Sequence, residues 1–164
     1  MLYRKISADI EAHLRSGSNK ILVVEGARQI GKSYIIREVG NRLYKNFVEI
    51  NFAKDDETEG LFRDISGLGE FYITLSMVAG GKLGDKSDTL VFLDEIQEVP
   101  PIISTLKYFY ENRPDIHVIV ADSLLGVMNM QGESFPVGKV DIMHLYPMSF
   151  EEFLDAMGEV QLVN

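Results

Sequence analysis

At 164 residues, with 46% hydrophobic and 10% aromatic side chains, the sequence has the size and composition of one folded domain rather than a disordered chain. The absence of cysteine excludes disulfides and thiolate metal sites, and no apolar run reaches the roughly 18 residues of a membrane helix. The net charge of −9 lacks the basic excess of nucleic-acid binders, so for this chain alone we expect neither a membrane nor a nucleic-acid partner.

The charge is unevenly distributed along the chain. Residues 1–45 carry nine Lys and Arg against four Asp and Glu, whereas residues 46–164 carry seven against twenty-one. A basic N-terminal third suits an anionic ligand. The first residues lead into a polar segment and show no secretory signal, so we expect a cytoplasmic protein.

Hydrophobic periodicity predicts strands that alternate with helices. In chain order the pattern predicts a helix at 5–16, a strand at 20–25, a helix at 33–43, a strand at 47–52, a weaker helical region at 57–79 broken at 66–67, a strand at 89–93, a helix at 101–111, a strand at 116–121, a helix or turn from 123, a strand at 140–145 and a helix at 149–157. Because parallel strands need crossover helices, this order predicts an α/β fold with a mainly parallel five-stranded sheet.

The segment Gly26-Ala27-Arg28-Gln29-Ile30-Gly31-Lys32-Ser33 has the spacing of a phosphate-binding loop. The spacing is informative because a predicted strand precedes it and a predicted helix follows it. Gly26 and Gly31 permit a tight turn whose N–H groups point at phosphate oxygens, and the helix N-terminus adds partial positive charge. Lys32 would bind the β- and γ-phosphates and Ser33 would ligate Mg²⁺. The alternative is a glycine-rich turn with a solvent-facing lysine.

A second element of the pattern is an apolar strand, residues 89–93, that ends in the adjacent acids Asp94 and Glu95. Carboxylates at the C-terminal end of a parallel strand lie where ligands bind in such sheets. We expect Asp94 to hold Mg²⁺ and Glu95 to orient and polarise the attacking water. Kinases with the same loop do not need the second acid, so the pair favours ATP hydrolysis. A strand that simply ends in polar residues is the alternative.

Three segments occur in a fixed order: the loop Gly26–Ser33, Phe92-Leu93-Asp94-Glu95-Ile96-Gln97, and Leu145-Tyr146-Pro147-Met148-Ser149-Phe150-Glu151-Glu152-Phe153-Leu154. Together they resemble a group of bacterial and archaeal AAA-type ATPases, over a range from about residue 3 to residue 154. The resemblance implies a three-layer P-loop domain with helices on both faces of a sheet of order 5-1-4-3-2. We interpret the third segment as structural, since its apolar residues fall at helical spacing.

The resemblance also implies specific site residues. The fourth strand of these ATPases ends in Gly-Ser, whose hydroxyl is expected to sense the γ-phosphate; here Asp122 replaces the glycine and Ser123 keeps the hydroxyl. The implied catalytic residues are therefore Lys32, Glu95 and Ser123. The residues expected to bind the nucleotide are Gly26, Ala27, Arg28, Gln29, Ile30, Gly31, Lys32, Ser33 and Tyr34.

One position predicts slow turnover. Lys139 occupies the place where the family commonly has an arginine, and lysine lacks the bidentate grip of arginine on phosphate. Longer relatives continue into a lid and further domains, whereas we expect residues 1–164 to form a single domain without them. A catalytic arginine would then have to come from self-association or from a protein partner.

The leading hypothesis is that the chain binds and hydrolyses ATP with Mg²⁺, so that ATP and ADP are its ligands. Two alternatives stay open: a nucleotide-controlled regulatory switch with negligible turnover, and the ATPase module of a nucleic-acid processing protein. The three histidines lack the spacing of metal ligands and are interpreted as structural.

Overall fold

The computed structural model describes residues 5–18, 20–26, 31–80, 83, 88–106, 116–122 and 140–145. The described residues form five α-helices, five strands and one 3-10 helix, which spans Ile96–Glu98. These elements are α1 (Lys5–Arg15), β1 (Ile21–Glu25), α2 (Lys32–Leu43), β2 (Asn46–Asn51), α3 (Asp56–Arg63), α4 (Leu68–Ala79), β3 (Thr89–Asp94), α5 (Pro100–Leu106), β4 (His117–Asp122) and β5 (Val140–His144).

The five described strands form one parallel sheet in the spatial order β2-β3-β4-β1-β5. Read from the opposite edge, this is the predicted order 5-1-4-3-2, so the prediction is confirmed. The chain leaves β1 towards one edge of the sheet and leaves β4 towards the other. Ligands of open parallel sheets bind at such a reversal, in the crevice beyond the C-terminal ends of the strands.

Apolar side chains cover both faces of the sheet and give the three layers that were predicted. Successive strand residues point to opposite faces, so Leu22 and Val24 belong to one cluster whereas Ile21 and Val23 belong to the other. The first cluster packs against helices α1 and α2. The second packs against α3, α4 and α5. Strands β1 and β3 are buried along their whole length because both of their faces are covered.

The weaker helical region consists of two helices, α3 and α4. Asp55 caps α3 by accepting a hydrogen bond from the Thr58 N–H at 3.0 Å. Gly67 precedes α4 with a φ of +147°, a conformation that favours glycine, which explains the break predicted at 66–67.

Several predicted boundaries shift by one residue, and the 3-10 helix at Ile96–Glu98 was not predicted because three residues carry no periodic pattern. The predicted helix or turn from 123, the helix at 149–157 and the end of the helix at 101–111 lie outside the described residues. None of the helices in the described ranges has the length and apolar character needed to cross a membrane.

Candidate functional site

The two glycines of the phosphate-loop motif lie at the end of β1 and at the start of α2. Gly26 follows β1 directly, and its N–H donates to the Asp122 carbonyl oxygen at 3.2 Å. Gly31 precedes α2 with φ +91°, in the left-handed region where a Cβ would be strained. Residues 27–30, which were predicted to contact the nucleotide, lie outside the described residues.

Lys32 lies at the first turn of α2 with only 5% of its surface exposed. Its Nζ donates to the Gly26 carbonyl oxygen at 2.7 Å and to the Asp122 carbonyl oxygen at 3.1 Å. The ammonium is therefore fixed between the C-terminal ends of β1 and β4. The alternative interpretation of the motif, a turn with a solvent-facing lysine, is wrong.

Ser33 and Asp94 are 61 residues apart in the chain and in direct contact in the fold. The Ser33 hydroxyl donates to Asp94 Oδ2 at 2.5 Å. The other carboxylate oxygen, Oδ1, accepts the backbone N–H of Glu95 at 2.9 Å. The two residues predicted to serve Mg²⁺ thus meet at the C-terminal edge of the sheet.

Asn51 also reaches this carboxylate and was missed by sequence reasoning. Its Nδ2 donates to Asp94 Oδ2 at 3.3 Å, because the parallel register places Asn51 directly beside Asp94. The available signal was the polar Asn51 next to the end of a second predicted strand, 47–52, at the same edge.

Asp94 has the electrostatics of a carboxylate that would gain from a cation. The side chain is 2% exposed, and burial, helped by the nearby charge of Glu95, raises the pKa of Asp94 against the opposing effect of the Ser33 hydrogen bond. Mg²⁺ prefers hard oxygen ligands and takes one or two carboxylates together with phosphates and water. The Ser33 hydroxyl and the Asp94 carboxylate fit that donor set. The described residues hold no cluster of three or more His, Cys, Asp or Glu that would form a dedicated metal cage.

Glu95 diverges from Asp94 and turns the chain sharply. Its backbone has φ 56° and ψ 48°, and among the described residues it is the one non-glycine with positive φ. Its Oε2 accepts a hydrogen bond from Gln97 Nε2 at 2.5 Å. Asp94 therefore faces Ser33 while Glu95 faces Gln97, a second residue that sequence reasoning missed.

The remaining predicted residues fall into two groups. Tyr34 follows Ser33 on α2, and half of its surface (50%) is exposed. Ser123 and Lys139 lie outside the described residues. Asp122, the residue that replaces the family glycine, is fully buried and its backbone oxygen accepts the bond from Lys32.

A further polar group lies on the face of the sheet opposite to Asp94. The register places Glu25 beside both Asp122 and His144, and His144 Nδ1 lies 3.4 Å from Glu25 Oε2. The C-terminal edge of the sheet thus carries acidic residues on both faces. On the face towards α2, the acid Asp94 lies together with Lys32 and Ser33.

Residues 18–154 match the sequence model of the AAA domain family. The chain belongs to this family. The match covers most of the chain and confirms the resemblance to AAA-type ATPases. This AAA domain is therefore a P-loop ATPase-type α/β domain, a class that binds and hydrolyses nucleotides. No curated protein matches the sequence significantly.

Three solved structures share the fold of this AAA domain. A Walker-type ATPase of Pyrococcus abyssi is similar with TM-score 0.60 and 16% identity, over 99% of this chain and 59% of that protein. The RuvB Holliday junction branch migration motor of Thermotoga maritima gives 0.58 and 12%, over 99% and 51%. PCH-2 of C. elegans gives 0.51 and 11%, over 97% and 46%. At these identities the likeness shows the fold alone, and the chain spans about half of the length of these proteins.

Proposed function

We propose that this AAA domain binds Mg-ATP and hydrolyses it to ADP and phosphate. The observation that carries the proposal is the 2.5 Å contact between Ser33 and Asp94 beside the buried ammonium of Lys32. A hydroxyl from a phosphate-loop motif and a carboxylate from a strand end are the pair that holds Mg²⁺ in P-loop ATPases. Their meeting is not required by either motif alone, so it supports both assignments together.

Lys32 would supply the positive charge for the β- and γ-phosphates. Its two carbonyl hydrogen bonds fix the ammonium where β1 and β4 end, which is also where the loop residues 27–30 begin. The N-terminus of α2 lies at the same place and contributes a partial positive charge. We include residues 26–34 in the nucleotide site and Ser123 as the residue that contacts the γ-phosphate.

Ser33 and Asp94 would hold Mg²⁺, which neutralises charge on the β- and γ-phosphates when bound. The Asp94 carboxylate is oriented by hydrogen bonds from Asn51 and from the Glu95 backbone, so it needs little rearrangement to act as a ligand. Burial, which raises the pKa of Asp94 in the absence of a bound metal ion, also strengthens its attraction for such an ion.

Glu95 would act on the attacking water. Its carboxylate accepts a hydrogen bond from the water and takes its proton as the water oxygen bonds to the γ-phosphorus. The bond from phosphorus to the β,γ-bridging oxygen breaks at the same time, and its electron pair leaves with ADP. The divergence of Asp94 and Glu95 supports this division of roles.

The positions of the described arginines support slow ATP turnover. Each of the four arginines in the described ranges forms an ion pair with a glutamate, and none of these pairs lies in the phosphate loop. The pairs are Arg15–Glu11, Arg37–Glu49, Arg42–Glu11, Arg42–Glu38 and Arg63–Glu59. An arginine at the γ-phosphate is worth about 10³–10⁵ in rate in P-loop enzymes. This supports a catalytic arginine that is supplied by a second copy of the chain or by a protein partner. The nucleotide-controlled switch therefore remains the second candidate function.

Single-turnover ATP hydrolysis tests the proposal and separates its two forms. We predict that Glu95→Gln binds Mg-ATP normally but hydrolyses it about 100-fold or more slowly, the scale of a lost general base. Asp94→Asn should weaken binding only when Mg²⁺ is present. Glu98→Gln, an exposed acid on the next turn, is the matched control and should behave as the parent.

The outcomes distinguish the candidates. Parental hydrolysis that depends on Glu95 supports the ATPase, however slow it is. Mg-ATP binding without hydrolysis above background supports the regulatory switch instead. Glu95→Gln hydrolysing at the parental rate would show that Glu95 is not the residue that activates the water.

A further inference from the structure

An ion pair joins helix α2 to strand β2 close to the proposed metal site. Arg37 Nε donates to Glu49 Oε1 at 2.8 Å, and Arg37 Nη2 donates to Glu49 Oε2 at 2.7 Å. Such two-pronged contacts are among the strong charge-assisted hydrogen bonds of proteins. The side chain of Arg37 is 46% exposed and that of Glu49 is 23% exposed, so water screens the two charges only in part.

Both members of the pair lie one step away from the residues that contact Asp94. Arg37 is four residues after Ser33 on α2, which places the two side chains on the same face of the helix. Helical side chains point back towards the N-terminus, so the Arg37 side chain leans in the direction of Ser33. Glu49 is two residues before Asn51 on β2 and shares its face of the sheet. Because Ser33 and Asn51 both donate to Asp94 Oδ2, the ion pair forms the next layer of contacts behind this carboxylate.

The charge of Asp94 acts on Arg37. The pKa of Arg37 is raised chiefly by its hydrogen bonds to Glu49, against the opposing effect of burial, and the charges of Glu49 and Asp94 add to the rise. Lys32 is a second cation whose charge interacts with Asp94, and it lowers the pKa of that carboxyl. Lys32 is assigned to the phosphates, whereas Arg37 has its charge neutralised by Glu49.

A cation beside a metal ligand opposes the metal ion. Mg²⁺ and a guanidinium are both attracted to a carboxylate, so an Arg37 without its partner would lower the affinity of Asp94 for Mg²⁺. Glu49 removes this competition, because its two oxygens occupy the guanidinium and its charge cancels that of Arg37. The pair thus connects α2 to β2 without adding net charge beside the metal site.

We propose that Glu49 keeps Arg37 from acting as a counter-ion of Asp94, and that this ion pair sets the affinity of the site for Mg²⁺. The inference rests on the proposed binding of Mg-ATP by Ser33 and Asp94. Arg37 and Glu49 act through Asp94, so they are positioning residues rather than metal ligands. Their effect is electrostatic, and no proton is transferred.

The factor by which Mg²⁺ tightens ATP binding measures this effect. It is the ratio of the dissociation constants of ATP in EDTA and in saturating Mg²⁺, both obtained by titration calorimetry. For Arg37→Gln we expect the factor to rise about two- to fivefold, because the negative charge of Glu49 is left beside the site. For Glu49→Gln we expect it to fall about three- to tenfold, because Arg37 is left to pair with Asp94. The double variant should return to within about twofold of the parent.

Two comparisons separate the charge of the pair from its structural role. Arg37→Lys keeps the charge and loses the two-pronged contact, so its factor should stay within about twofold of the parental value. Arg63→Gln and Glu59→Gln break a two-pronged pair of the same kind on α3, which packs on the face of the sheet opposite to Asp94. These two controls should keep the parental factor. Melting temperatures show whether each variant remains folded.

Each result decides the matter. Opposite changes in the two single variants, restored in the double variant, support the inference. A change in the same direction in both, or no change beyond that of the α3 controls, overturns it and leaves the proposed function standing. A factor in Arg37→Lys that matches Arg37→Gln shows that the contact matters rather than the charge, and overturns it too. If Mg²⁺ does not tighten ATP binding by the parent, both proposals fail.

Discussion

At the scale of single residues, the backbone of Glu95 combines strain with function. A glutamate with φ 56° places its Cβ close to the following carbonyl, which costs about 1 kcal/mol or more. The same turn sends Asp94 towards Ser33 and Glu95 towards Gln97. The strain is thus coupled to the separation of the two acids, on which the proposed division between metal and water depends.

Glycine at position 95 should relieve this strain. We predict that Glu95→Gly has a free energy of unfolding about 1 kcal/mol higher than Glu95→Ala, because both lack the carboxylate and only alanine keeps a Cβ at positive φ. Urea denaturation of the two variants measures the difference, and both should be inactive in single-turnover hydrolysis. If alanine were the more stable of the two, the left-handed conformation of residue 95 would be wrong.

Single residues also show where sequence reasoning reached its limit. Lys32, Ser33 and Asp94 were predictable because each belongs to a local motif whose chemistry is read from neighbouring positions. Asn51 and Gln97 were not, because their contacts depend on strand register and on a turn of three residues. Non-local register and short irregular turns leave no periodic signal in a sequence.

At the scale of elements, α2 and β2 pack at one glycine. A Cβ at Gly40 would lie 2.4 Å from two ring atoms of Phe47 and 3.2 Å from Leu90 Cδ2. Gly40 therefore lets helix α2 approach β2 and β3 closely, although glycine is a poor residue for a helix interior.

Two helical glycines should respond oppositely to alanine. Gly40→Ala should lower the free energy of unfolding by about 1–3 kcal/mol, the cost of overpacking. Gly60→Ala on α3, where a Cβ would meet no atom within 4 Å, should raise it by about 0.5–1 kcal/mol through helix propensity.

Urea denaturation measures the free energy of unfolding of both glycine variants. Adding Phe47→Leu to Gly40→Ala replaces the ring by a smaller side chain, and this double variant should recover part of the lost free energy of unfolding. Equal stabilisation by both alanines would mean that α2 does not lie as close to β2 as described.

The elements themselves were predictable to within about a residue where apolar runs were continuous. Strands β1 and β3, buried on both faces, gave uninterrupted apolar runs that ended at the site. The division into α3 and α4 was indicated only by the glycine at 67, because both helices are short and α4 is apolar on most of its surface.

At the scale of the whole molecule, the parallel sheet gathers the ligand chemistry at one edge. Polar residues end all five described strands: Glu25, Asn51, Asp94, Asp122 and His144. Only one cationic side chain, Lys32, is buried among the described residues at this edge. The order of strands was predictable from the family resemblance, whereas the pattern of acids on the two faces required the register.

The central claim is that Lys32 binds the phosphates of Mg-ATP at this edge. Titration calorimetry of the parent, Lys32→Ala and Lys45→Ala tests it most directly, since Lys45 is exposed at the opposite end of the sheet. Circular dichroism is the check that Lys32→Ala remains folded without the bonds to Gly26 and Asp122. We predict that Lys32→Ala weakens Mg-ATP binding by about 2–3 kcal/mol, the scale of a hydrogen bond to a charged group, and that Lys45→Ala leaves it unchanged. Equal affinity for Mg-ATP in all three folded proteins would contradict the account.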